Sequence, residues 1–106
     1  MKSKDLITLQ REQGRWSDRT FPGETVQQKI QHLAKEVQEL LAHPTSREEM
    51  ADCQLLLLDI ARLQNTDANL LVSAAFDKLE INKRRTWAMG PDGFYIHVKP
   101  SEAEAA

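Results

Sequence analysis

Four acidic residues fall into two couplets of helical spacing, Glu36 and Glu39 in LAKEVQELL, and Glu49 and Asp52 in REEMADCQLLLL. A separation of three residues turns an α-helix by ~300° and rises ~4.5 Å, so each couplet projects from one face with one carboxylate above the other. The turn-like stretch His43-Pro44-Thr45-Ser46 lies between them, and a hairpin there brings the two faces together. Four converging carboxylates repel one another unless cations sit among them. Oxygen-only donors suit hard divalent ions such as Mg2+ or Mn2+ rather than zinc. One such couplet alone ordinarily marks a solvated helix face. Two couplets, each beside an apolar stripe and joined by a short turn, favour a metal site.

These carboxylates need rigid elements to hold them. Residues 3–14 read as a short polar helix ending near Gly14, and WSDRTFPGE (16–24) reads as a loop of aromatic residues and turn formers. Thr25-x-x-Gln28 is a capping-box pattern that opens the first long helix, along which Val26, Ile30, Leu33, Val37 and Leu40 form an apolar stripe. Glu36 and Glu39 lie beside that stripe rather than opposite it. Pro44 closes the helix and Thr45 or Ser46 caps the next. A second capping box, Thr45-x-x-Glu48, would leave Glu49 to face inward. Leu55 to Leu58 point all round the axis, so this helix requires cover from further helices and a second subunit. After an Asn65-Thr66-Asp67 turn, a third long helix spans about 67–86, its stripe of Leu71, Ala75, Lys78, Asn82 and Arg85 passing from apolar to basic. FYIHVK alternates as a strand or ordered extended segment does, and residues 100–106 read as a disordered tail.

A chain of 106 residues forms one domain, here 1–99. A formal net charge of −2 provides no basic field for a nucleic-acid polymer. The start is too polar for a signal peptide and no apolar run approaches the ~20 residues of a membrane span. Cys53, the lone cysteine, reads as a small buried hydrophobe. The expectation is a cytoplasmic protein without a membrane partner.

Further residues carry weaker signals. Trp16, Phe21 and Trp87 can stack on a flat ligand ring, with ordinary packing as the competing role. His97 and Lys99 alternate to one side of FYIHVK and can reach phosphate. His32 and His43 fall near the Glu36/Glu39 stripe, although a lone helical histidine is usually neither ligand nor base. Asp59, seven residues after Asp52, fits an ion pair with Arg62 better than a metal role.

The order WSDRTFPG, HLAKEVQELL, EEMADCQLLLLDIAR, KLEINKRRTW and GFYIHVK resembles the MazG-like, all-α nucleoside triphosphate pyrophosphohydrolases. It is most similar to their small phage-type dATP/dGTP branch (MazZ-like). KEVQE…EEMAD departs from the family's EExxE…ExxD signature in having Lys35 at the first Glu. The resemblance implies an all-α helical bundle completed by oligomerisation, as a homodimer or homotetramer, with a short extended C-terminal segment. It implies Mg2+-dependent hydrolysis of a purine dNTP to dNMP and diphosphate, with Mn2+ able to substitute and two or three ions per site. Glu36, Glu39, Glu49 and Asp52 become the metal ligands, with Glu36 or Glu39 also catalytic, and Lys78, Asn82 and Arg85 hold phosphate or sugar oxygens. A non-catalytic helical interaction or regulatory protein is the alternative, distinguished by acids that point to solvent.

Overall fold

The computed structural model describes residues 4–99; the expected tail at 100–106 lies outside them. Four helices, α1 (Leu6–Thr20), α2 (Val26–Ala42), α3 (Arg47–Leu63) and α4 (Ala68–Arg84), precede two strands, β1 (Thr86–Met89) and β2 (Tyr95–Val98). The chain divides into two compact units between Val72 and Ser73, within α4. Among the described residues no helix is long and apolar enough to cross a membrane.

In the first unit, α1 does not stop at Gly14. It continues through Trp16 and Asp18 to Thr20, where the expected loop would have been. Its buried face is Gln10, Gly14 and Ser17, a helical spacing of small and polar residues that hydrophobic patterning does not register. Gly14 is there for close approach. A Cβ at that position would lie 2.5 Å from Cδ and Nε of Arg62, whose side chain crosses α1 at this point. Gln10 ties the helix to the α3–α4 turn. Its Nε2 donates to the carbonyls of Leu58 and Thr66 at 2.9 and 3.1 Å, and its Oε1 accepts from the Ala68 amide at 2.7 Å. A buried side-chain amide so satisfied costs little and fixes one geometry.

The Thr25/Gln28 capping box opens α2 with both reciprocal bonds, as its spacing predicts. α3 is capped by Ser46, whose hydroxyl accepts from the Glu49 amide at 3.2 Å. The Thr45/Glu48 box is not the cap, because the helix begins one residue later than that pattern requires. Asn65, at φ 58°, makes the left-handed turn after α3, and the Asp67 carboxylate accepts from the Leu70 amide to open α4.

Leu56, Leu58, Ile60, Ala61 and Ala68 form the buried apolar core, but the largest fully buried side chains are Asp59 and Ser17. Each buried Leu or Ile contributes roughly 1.5–3 kcal/mol without selecting a geometry. The polar groups select it. Cys53 is half-buried rather than in the core.

In the second unit, α4 ends at Arg84, and Thr86–Met89 pairs antiparallel with Tyr95–Val98. The helical stripe expected to reach Arg85 is therefore cut short, and Trp87 belongs to a strand. FYIHVK is a strand because it has this partner; the turn closes with the Gly90 amide donating to the Phe94 carbonyl at 2.8 Å.

Candidate active site

α2 and α3 form an antiparallel helical hairpin, and its seam differs from the apolar stripe visible in the sequence. The residues of α2 turned away from solvent are Val26, Lys29, Leu33, Glu36 and Leu40. Ile30 and Val37, expected on that face, are 48% and 46% exposed. The seam thus runs one position off the purely apolar line and carries a cation and a carboxylate inward. Sequence reasoning passed over Lys29 because a lysine breaks a hydrophobic pattern. Its 3-4-3-4 spacing with Val26, Leu33, Glu36 and Leu40 was the available signal.

At the turn end of the seam, Glu36, Glu49 and Asp52 converge. Each offers an oxygen, and these atoms all lie within 4.8 Å of one another. Glu39 is exposed and outside this trio, yet its charge acts on Glu49. Loss of water raises Glu49 above its ordinary pKa of 4.5, and the charges of Asp52, Glu36 and Glu39 raise it further, with His43 opposing. Such crowding of like charge, with oxygen donors alone, fits a hard divalent cation. His32 Nε2 lies 3.1 Å from Glu36 Oε1 and so orients that carboxylate.

Glu36 and Asp52 also line a cleft of about 190 Å3 bounded by Gln13, Trp16, Phe21, Glu24, Lys29 and His32. Trp16 and Phe21 meet edge to face, with ring centroids 5.2 Å apart. The continuation of α1 to Thr20 places Trp16 on a helix and Phe21 at its C-cap, so both rings are set by regular structure. The cleft is below the ~300 Å3 of a typical whole-ligand pocket. A larger cleft of about 400 Å3 runs past Lys4, Leu9, Glu12 and Gln54 and contains none of the clustered carboxylates.

Part of the lining of this cleft belongs to a buried charge network. Lys29 Nζ lies 2.9 Å from Asp59 Oδ2 and 3.2 Å from Glu24, and donates to Ser17 Oγ at 2.8 Å. Arg62 holds the other Asp59 oxygen through Nε at 2.8 Å and the terminal nitrogen at 2.7 Å, and reaches Asp18 at 3.0 Å. The expected Asp59–Arg62 pair is present, with Lys29 as an unforeseen third member. Burial alone would raise Asp59; the bonds from Lys29, Ser17 and Arg62 outweigh it and hold the carboxyl below 3.8. Burial likewise disfavours the Lys29 cation, but Asp59 and Glu24 carry its pKa above 10.5.

The remaining predicted residues belong to the second unit. Lys78 is exposed on α4, and Asn82 is half-buried with its side-chain oxygen lacking a hydrogen-bond partner. Arg85 follows the helix, its amide donating to the Asn82 carbonyl at 3.2 Å. That carbonyl also accepts from the Trp87 indole at 2.8 Å. Trp87 faces His97 across the hairpin, with centroids 6.1 Å apart, and Lys99 follows β2.

The model of the dATP/dGTP pyrophosphohydrolase family matches residues 9–103. A dATP/dGTP diphosphohydrolase of Salmonella phage PMBT28 is 43% identical over 84 residues, which cover 78% of this chain and 28% of that protein. The Eaa protein of Salmonella phage P22 is 38% identical over 92 residues, 86% of this chain and 29% of its own length. The chain thus spans less than a third of these two relatives. A dATP/dGTP diphosphohydrolase of cyanophage S-2L is 32% identical over 99 residues, covering 92% of this chain and 91% of that one. Among solved structures, the cyanophage S-2L MazG-like pyrophosphohydrolase, bound to dGDP and three catalytic Mn2+ ions per active site, aligns with a TM-score of 0.77 at 31% identity. That alignment covers 92% of this chain and 100% of the other. By sequence and by its MazG-like helical architecture, the chain belongs to the dATP/dGTP pyrophosphohydrolase family.

Proposed function

We propose that the protein is a Mg2+-dependent purine dNTP pyrophosphohydrolase that cleaves between the α and β phosphorus atoms to yield dNMP and diphosphate. The observation that carries this reading is the convergence of Glu36, Glu49 and Asp52, two of which, Glu36 and Asp52, line a cleft edged by Trp16 and Phe21. The cyanophage relative, bound to dGDP with Mn2+, supports the same chemistry here.

Glu36, Glu39, Glu49 and Asp52 would hold two or three Mg2+ or Mn2+ ions. When bound, such ions neutralise triphosphate charge and lower the pKa of a water molecule. Glu36 accepts the proton of the attacking water, and His32 fixes the orientation of its carboxylate. Trp16 and Phe21 offer flat apolar surface to the base. As the resemblance implies, Lys78, Asn82 and Arg85 would hold phosphate or sugar oxygens, and Trp87, His97 and Lys99 would bind substrate. The acting species is a homodimer or homotetramer. Phe76 and Leu79 on α4 are 67% and 48% exposed, and large apolar side chains so displayed favour association.

Anion-exchange analysis of the products from each dNTP with Mg2+ or Mn2+ tests the reading. Nucleoside monophosphate with pyrophosphate, and no nucleoside diphosphate, is the expected result. Nucleoside diphosphate with free phosphate would overturn the assignment, and no product with any nucleotide would leave the helical interaction protein as the better account.

A further inference from the structure

We infer that the buried Lys29–Asp59 pair is a positioning device that sets the register of α2 against α3 and thereby brings Glu36 onto Glu49 and Asp52. The inference rests on reading that carboxylate trio as a cation site.

Lys29 precedes Glu36 by seven residues and Asp59 follows Asp52 by seven. In an antiparallel helix pair those equal steps put the two pairings on one seam, two turns or ~10.5 Å apart. Both members of the ion pair are withdrawn from water, with side chains 4% and 1% exposed, and their atoms meet at 2.9 Å. The turn between Ala42 and Arg47 restrains one end of the hairpin. The far end needs its own tie, because Leu55 to Leu58 offer apolar surface all round the helix and apolar contact alone does not choose one alignment. Apolar burial is non-directional, and a slip of one turn, ~5.4 Å, alters it little. A slip of the ion pair is different: it leaves a lysine and an aspartate buried without each other, which is strongly destabilising. The carboxylates themselves supply no force toward convergence, since like charges repel. The pair therefore supplies alignment that neither the Leu run nor the acidic cluster provides. A buried polar contact that specifies register at little net stability is a known physical role.

The test is Lys29→Met/Asp59→Leu, which keeps the seam filled and removes both charges. Urea unfolding and Mn2+ titration without nucleotide, followed by the electron spin resonance of free Mn2+, are measured on the full chain. Replacing a buried pair by apolar groups of similar volume is by itself close to neutral, but Arg62 loses its bonds to Asp59, so the urea midpoint is expected to fall while the variant stays folded. The Mn2+ affinity is expected to fall by about tenfold or more, the usual cost of losing residues that orient metal ligands. A folded double variant with wild-type Mn2+ affinity would overturn the inference. Should that variant not fold, Lys29→Arg and Lys29→Gln carry the test. The cation-keeping variant binds Mn2+ more tightly than the amide if the pair sets register, and equal affinities overturn it. Because Mn2+ binding is read without nucleotide, the outcome does not depend on which substrate, if any, is turned over.

Discussion

Gly14→Ala should destabilise this protein although it places a better helix former in a helix interior. The added Cβ would lie 2.5 Å from Cδ and Nε of Arg62 and 3.0 Å from Cζ, where non-bonded carbon contacts require ~3.5–4.0 Å. Either the helices part or the guanidinium leaves Asp59. The contact to Asp18, 64% exposed, is worth only about 0.2–1 kcal/mol and counts little. The bonds to Asp59, 1% exposed, are the larger stake, about 1.5–3 kcal/mol for a hydrogen bond to a charged group. Set against the ~1 kcal/mol gained by replacing glycine in a helix, the net loss is about 0.5–2 kcal/mol. Urea unfolding at constant slope measures it. In an Arg62→Ala background the obstacle is gone, and the same substitution should stabilise by ~1 kcal/mol. Equal stabilisation in both backgrounds would refute the argument, because it would mean that Arg62 yields to the methyl group at no cost.

Asp52→Asn or Glu39→Gln is expected to abolish turnover while the fold persists, with metal-free melting no lower than wild type because like-charge repulsion falls; loss of folding in metal-free buffer would count against the site. The pH dependence of stability in chelator should contain opposing contributions. Asp59, held below 3.8, stabilises above that value, and the contribution disappears as pH falls through its folded pKa. Glu49, raised above 4.5, binds its proton more tightly when folded, so stability declines as pH rises from 4.5 through the raised value; Glu49→Gln should flatten that part of a urea-midpoint profile. Trp16→Ala is expected to raise KM more than it lowers kcat, as loss of base contact made equally in the ground and transition states would do, and steady-state kinetics with each purine dNTP checks this. Phe76→Glu should shift the protein to a smaller species in light scattering if α4 lies in the subunit interface.

Local signals were sufficient for much of this chain. The Thr25/Gln28 box, the proline-ended turn and the acidic couplets depend on neighbours within a few residues, so their spacing alone announced the α2–α3 hairpin and its acids. The same locality explains the Asp59–Arg62 pair, one helical turn apart. What the sequence left undecided came from partners distant along the chain. Gly14 looked like a helix end until Arg62 packed across it, and Gln10 and Ser17 carried no apolar signature because their burial depends on Leu58, Thr66 and Lys29. FYIHVK became a strand only through pairing with Thr86–Met89, which begins where sequence patterning had ended a helix. The inward face of α2 was likewise a tertiary decision. Asp59 and Ser17 make Lys29 a better seam residue than Ile30, because a satisfied buried ion pair fixes one alignment where apolar contact permits several.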